Sequence, residues 1–221
     1  MTILFVLLTF LVILFVTYYT RGGQPVATQP TPVCPSAATP RMVRDLGFDI
    51  PRGYCFHPGH TWVLDEGRQN ARVGLDGFAA NLVGKIDRIE VPGLDRWVRQ
   101  GQKIWSITRD NLTIDMVSPI EGVVIAVNPE VQTDPGLLTK DPYQDGWVCV
   151  VKSPDLATNA KNLLQGSFVA SWMQSTLRRV SAMLPPLAEA TAQDGGVPVS
   201  GLLMQVDGRV QRAMVKEFFL T

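Results

Sequence analysis

Apolar and polar positions alternate with a period of two through Gln102-Lys103-Ile104-Trp105-Ser106-Ile107, pause over Thr108 to Asn111, and resume as Val123-Val124-Ile125-Ala126-Val127 after Ser118-Pro119-Ile120-Glu121-Gly122. Period-two runs around a short polar segment predict a β-hairpin, with its tip near Asp110-Asn111. Trp147-Val148-Cys149-Val150-Val151 reads as a further strand, with Cys149 facing inward.

The pattern changes towards the C-terminus. Asp155 to Leu164 reads as a short helix, with Pro154 suited to a first turn. Ser167 to Leu184 carries Phe168, Trp172, Leu177, Val180 and Leu184 at near-helical spacing, and Pro185-Pro186 ends the run. Thr191 to Val199 reads as a loop. Leu202 to Val206, Asp207-Gly208 and Arg209 to Val215 fit a hairpin with a D-G turn, and a helix from Arg209 to Phe219 competes with it. Phe218-Phe219-Leu220 needs burial, either on the chain's own domain or against a partner. Trp172, Phe218 and Phe219 are the candidate partner anchors, because buried aromatics dominate interface energies.

The first segment is of another kind. Thr2 to Thr20 carries no charge. At 1.5 Å per residue it spans about 28 Å as a helix, close to a bilayer core of about 30 Å. Tyr18 and Tyr19 sit where an interfacial aromatic belt would, and Arg21 follows at once. Residues 1–21 are therefore expected to form a single transmembrane helix in the inner membrane, touching lipid through residues 2–20. The positive-inside bias places the globular domain in the cytoplasm. Residues 22–40 contain five prolines from Pro25 to Pro40 and read as an extended tether. Arg41 to Ile50 reads as a short helix leading into the domain.

Seven stretches then point to a family. His60-Thr61-Trp62-Val63, Gly74-Leu75-Asp76-Gly77-Phe78-Ala79, Leu82-Val83-Gly84-Lys85-Ile86, Glu90-Val91-Pro92, Ser118-Pro119-Ile120-Glu121-Gly122, Asn128 and Asp141-Pro142-Tyr143-Gln144-Asp145-Gly146-Trp147 occur in order. Together they resemble the H protein of the glycine cleavage system. The resemblance implies a mostly β domain with short helices over 41–165, a lipoyl-domain-like barrel-sandwich hybrid. A small α/β extension would follow over 166–221.

In that family a lysine at the hairpin tip carries a lipoyl group. Anchored on Ser118-Pro119 and Asp115, its position falls on Asn111, and no lysine lies between Lys103 and Lys140. An Asn amide is not nucleophilic, so the resemblance implies a family fold without its swinging arm and with no cofactor. The surrounding Arg109, Asp110, Leu112 and Thr113 also depart from the family's small and acidic residues.

Composition narrows the rest. The chain has 221 residues, with 20 basic and 20 acidic side chains. That balance gives no reason to expect nucleic acid, whose phosphates demand clustered Lys and Arg. His57-Pro58-Gly59-His60 lacks a third ligand cluster for a metal, and in the resemblance His60 is a structural residue. No nucleophile has a recognisable base, so no catalytic residue is expected. Cys34, Cys55 and Cys149 are scattered, which fits a reducing compartment, although Cys34 or Cys55 is able to pair in an oxidising one. The expectation is a non-catalytic accessory subunit that binds integral membrane subunits of a larger complex, such as a respiratory or photosynthetic one. The alternative is a carrier-related protein that docks lipoyl-handling or glycine-cleavage-type enzymes.

Overall fold

The computed structural model describes Leu11, Val12, Phe15, residues 49–184 and residues 200–220. Among these residues nine strands form two antiparallel sheets. They are β1 (Cys55–His57), β2 (Thr61–Gly67), β3 (Asn70–Leu75), β4 (Arg88–Glu90), β5 (Trp97–Val98), β6 (Lys103–Arg109), β7 (Leu112–Val117), β8 (Gly122–Val127) and β9 (Trp147–Lys152). Six make one sheet in the order β1-β2-β3-β9-β8-β5, and three make the other in the order β4-β6-β7. The run Gln102 to Ile107 forms one arm of the expected hairpin as β6, but the other arm is β7, and Val123 to Val127 lies in β8 of the large sheet. Ile107, Ile114 and Met116 of the small sheet are buried, as are Val73, Val124 and Cys149 of the large one.

Short helices connect the strands. Helix α1 (Gly77–Val83) starts at Asp76, whose Oδ1 accepts a hydrogen bond from the Ala79 N–H at 2.8 Å. Helix α2 (Pro129–Thr133) begins in the same way on Asn128, and α3 (Leu137–Lys140) follows it. Helix α4 is Leu156–Ala160, shorter than the helix predicted there.

Helix α5 runs over Ser167–Met183, within a residue of the predicted span. The last segment takes the competing helix expected from Arg209 to Phe219 and not the hairpin. Leu202–Met204 is a 3-10 helix, and α6 spans Gly208–Phe219. Asp207 caps α6 by accepting hydrogen bonds from the N–H groups of Arg209 and Val210 at 2.8 and 3.1 Å. The D-G pair thus starts a helix, because an aspartate side chain satisfies the free N–H groups of a first turn. Val210, Met214 and Phe218 then recur every four residues, a helical and not a strand period. The extension is helical among the described residues, where a small α/β unit was expected.

The expected transmembrane helix is also corrected. Among the described residues no helix is long and apolar enough to cross a membrane. Within 2–20 only Leu11, Val12 and Phe15 are described, all helical, whereas a span requires about 20 consecutive residues. The inner-membrane placement rested on that helix and falls with it. The tether over 22–40 and residues 41–48 of the helix expected over Arg41 to Ile50 lie outside the described residues, as do Pro185-Pro186 and the loop at 191–199, while Asp49 and Ile50 are not helical.

Cys55 is disulfide-bonded, with its partner outside the described residues, which matches the oxidising option of the cysteine pattern. Cys149 is a free, buried thiol, and burial pushes its pKa up. The thiolate is the reactive form. A maleimide is therefore expected to leave Cys149 unlabelled in the native chain and to label it once denaturant opens the fold. Native labelling, read by peptide mass, would overturn this.

Candidate functional site

Strands β6 and β7 pair from Lys103↔Val117 to Arg109↔Leu112, which leaves Asp110-Asn111 as a two-residue turn. Asp110 takes a positive φ of 50°, a conformation that Asp and Asn tolerate better than most residues. Asn111 is exposed at this tip.

The tip is held from both sides. The Asp110 N–H donates to Asp87 Oδ2 at 2.8 Å, and Asp87 Oδ1 binds Lys85 Nζ at 2.9 Å. The Asp110 hydrogen bond, followed by the one from Lys85, holds the Asp87 carboxyl below its ordinary range. On the other side the Arg109 guanidinium donates to the Val83 carbonyl. It does so between two glycines. A Cβ on Gly84 would lie 2.7 Å from Arg109 Nη1, and one on Gly201 would lie 2.5 Å from it. Gly201 also donates its N–H to the Asn81 carbonyl at 2.8 Å. The C-terminal extension, helix α1 and the hairpin thus meet at Arg109.

Gly201 sits at a φ of 76°, where an L side chain costs about 1–2 kcal/mol before any clash. Gly201→Ala is therefore expected to lower stability by at least that amount and to loosen residues 109–112. Urea unfolding and amide exchange check the two effects separately. Unchanged exchange at the tip would show that Arg109 does not restrain it.

These residues do not fit a lipoyl group, which is carried on a lysine amine. Lys103 stands at the base of the hairpin, about 20 Å of strand from Arg109, and its Nζ is bound to Asp115 at 2.6 Å. Lys85 is beside the tip with its side chain 81% exposed, but it lies outside the hairpin, and its Nζ is bound to Asp87 at 2.9 Å. Sequence reading located Asn111 but not Lys85, Asp87, Gly84 or Gly201, which only the fold brings to it.

The predicted partner anchors lie elsewhere. Phe218 and Phe219 are 1% and 0% exposed, buried in the chain's own core. Trp172 is half-buried and stacks on His60 with ring centroids 4.8 Å apart. As placed here, the two phenylalanines hold down the extension and offer a partner no surface.

The two histidines have separate surroundings. Buried His60 shares a hydrogen bond with Asp76 Oδ2 at 2.8 Å through Nδ1, and its Nε2 has no hydrogen-bond partner among the described residues. His57 Nδ1 accepts from the Gly59 N–H at 3.0 Å. Among the described residues no group of three His, Cys, Asp or Glu side chains is placed to hold a metal ion. Burial, and secondarily the nearby His60, lower the pKa of His57 to about 4. An unfolded histidine titrates near 6.5, so below that pH the unfolded chain takes a proton that the folded chain refuses. Stability should fall as the pH drops from about 6.5 towards 4, by roughly 3 kcal/mol across the full window. Urea midpoints against pH should show the slope, and His57→Asn should flatten it. An unaltered slope in that variant would assign the loss to other groups.

Comparisons with known proteins agree with this fold. The family model of the glycine cleavage H-protein matches residues 54–176. The glycine cleavage system H protein of Vibrio cholerae is 31% identical over 100 residues, which cover 45% of this chain and 79% of that protein. The probable mitochondrial glycine cleavage system H protein 1 of Dictyostelium discoideum is 33% identical over 104 residues, covering 46% of this chain and 71% of its own. The crystal structure of the glycine cleavage system H protein of Mycobacterium marinum superposes with a TM-score of 0.50 at 21% identity, over 57% of this chain and 98% of that one. With its family match running from Tyr54 through β9 to helix α5, this chain belongs to the glycine cleavage H-protein family.

Proposed function

We propose that this chain is a docking member of the H-protein family that carries no lipoyl arm. It engages glycine-cleavage-type or lipoyl-handling enzymes through the retained domain and takes no part in group transfer. The observation that carries this reading is Asn111 at the hairpin tip, beside an Arg109 and an Asp87 that fasten that tip down. A carrier needs a mobile arm and a nucleophilic amine, and this tip supplies neither.

Intact mass of the chain, co-expressed with a lipoyl ligase and fed lipoate, is expected to equal the bare polypeptide. A lipoyl group mapped to any residue of 102–120 would overturn the armless reading. Pull-down with the purified chain is expected to retain the ligase or a glycine-cleavage dehydrogenase. Retention of neither would overturn the docking reading.

A further inference from the structure

The chain has three cysteines, Cys34, Cys55 and Cys149. Cys55 is bonded in a disulfide, and Cys149 is free. The large sheet also keeps these two apart. Cys55 pairs with Val63 across β1 and β2, Val63 with Val73 across β2 and β3, and Val73 with Cys149 across β3 and β9. Both cysteines thus sit in one row of the sheet, three strand spacings or about 14 Å from each other. A disulfide spans at most about 7 Å between Cα atoms. Cys34 is the one cysteine left to hold Cys55.

The place of Cys55 decides when its bond forms. The residue is 0% exposed, on a strand held along one edge by β2. On the other edge the Phe56 N–H donates to the Leu164 carbonyl at 2.9 Å, and the Phe56 carbonyl accepts from the Leu164 N–H at 2.8 Å. A disulfide forms by attack of a thiolate on the sulfur of another disulfide, so the oxidant has to reach the cysteine. It therefore meets Cys55 before β1 closes into the sheet. The family match opens at Tyr54, next to Cys55, and leaves Cys34 outside it. A bond between the two cysteines ties chain that the family model does not cover to the first strand of the family domain.

We propose that Cys34 and Cys55 form a disulfide that fastens the chain ahead of residue 54 to β1, installed by a thiol–disulfide oxidant while the chain folds. Both cysteine S–H bonds break and one Sγ–Sγ bond forms. The oxidant's own S–S bond breaks, takes up both protons and both electrons, and leaves as a dithiol. A reducing compartment keeps such thiols reduced, so this chain folds in an oxidising one. The proposal goes beyond the docking reading and does not depend on it.

The test is the thiol state of the full chain. Cells that make it are quenched in acid, and the denatured chain is alkylated with a maleimide. One label, on Cys149, is expected before reduction and three after it, with residues 34 and 55 joined in the unreduced peptide map. Cys149→Ser should keep the joined peptide, and Cys34→Ser should lose it and leave Cys55 open to label. Reductant should lower the urea midpoint of the wild type, because it frees the unfolded chain from a cross-link, and should leave that of Cys34→Ser where it stands. Circular dichroism checks that both variants fold. Oxidised glutathione present during refolding of the reduced chain should close the bond, and should close it far more slowly when added after refolding. Three labels before reduction, Cys55 joined to Cys149 or to a second chain, a wild-type midpoint that reductant does not move, or equal rates of closure before and after refolding would each overturn the proposal.

Discussion

Replacing Phe218 by alanine is expected to destabilise the chain by about 3–5 kcal/mol, the range for truncating a fully buried aromatic. Phe218 is 1% exposed. Its ring meets Phe78 edge-on at 5.5 Å and lies 6.3 Å from the His60 ring, and the Arg179 guanidinium sits over it at 5.4 Å. Arg179 is also bound to Glu217 at 2.7 Å, so α5 and α6 are joined where this ring packs. The cavity would open between α6 and α1, against Phe78. Since a domain is stable by only about 5–15 kcal/mol, the loss is a large fraction of the whole. Urea unfolding gives the magnitude, and amide exchange over residues 208–219 shows whether the helix detaches first. A cost under about 1 kcal/mol with full protection of that helix would mean that the extension is held by other contacts.

Asp76→Ala should cost about 3 kcal/mol by two separable routes. Its Oδ1 caps helix α1 through the Ala79 N–H, which is worth about 1 kcal/mol. Its Oδ2 receives buried His60 Nδ1 at 2.8 Å, and leaving that donor alone costs about 1–3 kcal/mol. Asp76→Asn keeps an oxygen for one of these roles and should lose less. Denaturation of the two variants orders them. Equal losses would mean that the carboxylate's charge matters and its hydrogen-bond geometry does not.

Both predictions concern contacts that no local pattern announces. Asp76 stands out in sequence as part of a family motif and as a cap before an apolar run. That it also holds His60 depends on β2 and β3 lying side by side with Thr61 opposite Leu75. Phe218 and Phe219 show in sequence that they must be buried. Whether the burial is internal or against a partner depends on the seat formed by Phe78, His60 and Arg179.

The sequence by itself determined what is periodic and local. Alternation placed one arm of the hairpin and the region of its tip, but not the other arm, which is Leu112–Val117 and not Val123–Val127. Helical spacing between a loop and a proline pair placed α5. The absence of lysine from 104–139 was likewise legible directly, because the chemistry of one side chain is fixed wherever it folds. The tertiary structure alone decided what depends on residues far apart in the chain. It chose a capped helix over a D-G hairpin at Asp207-Gly208, since α6 can bury Met214 and Phe218 together while a strand would turn successive residues to opposite faces. It also brought Gly84 and Gly201 to either side of Arg109, a fit set by two backbones whose closeness no period in the sequence records.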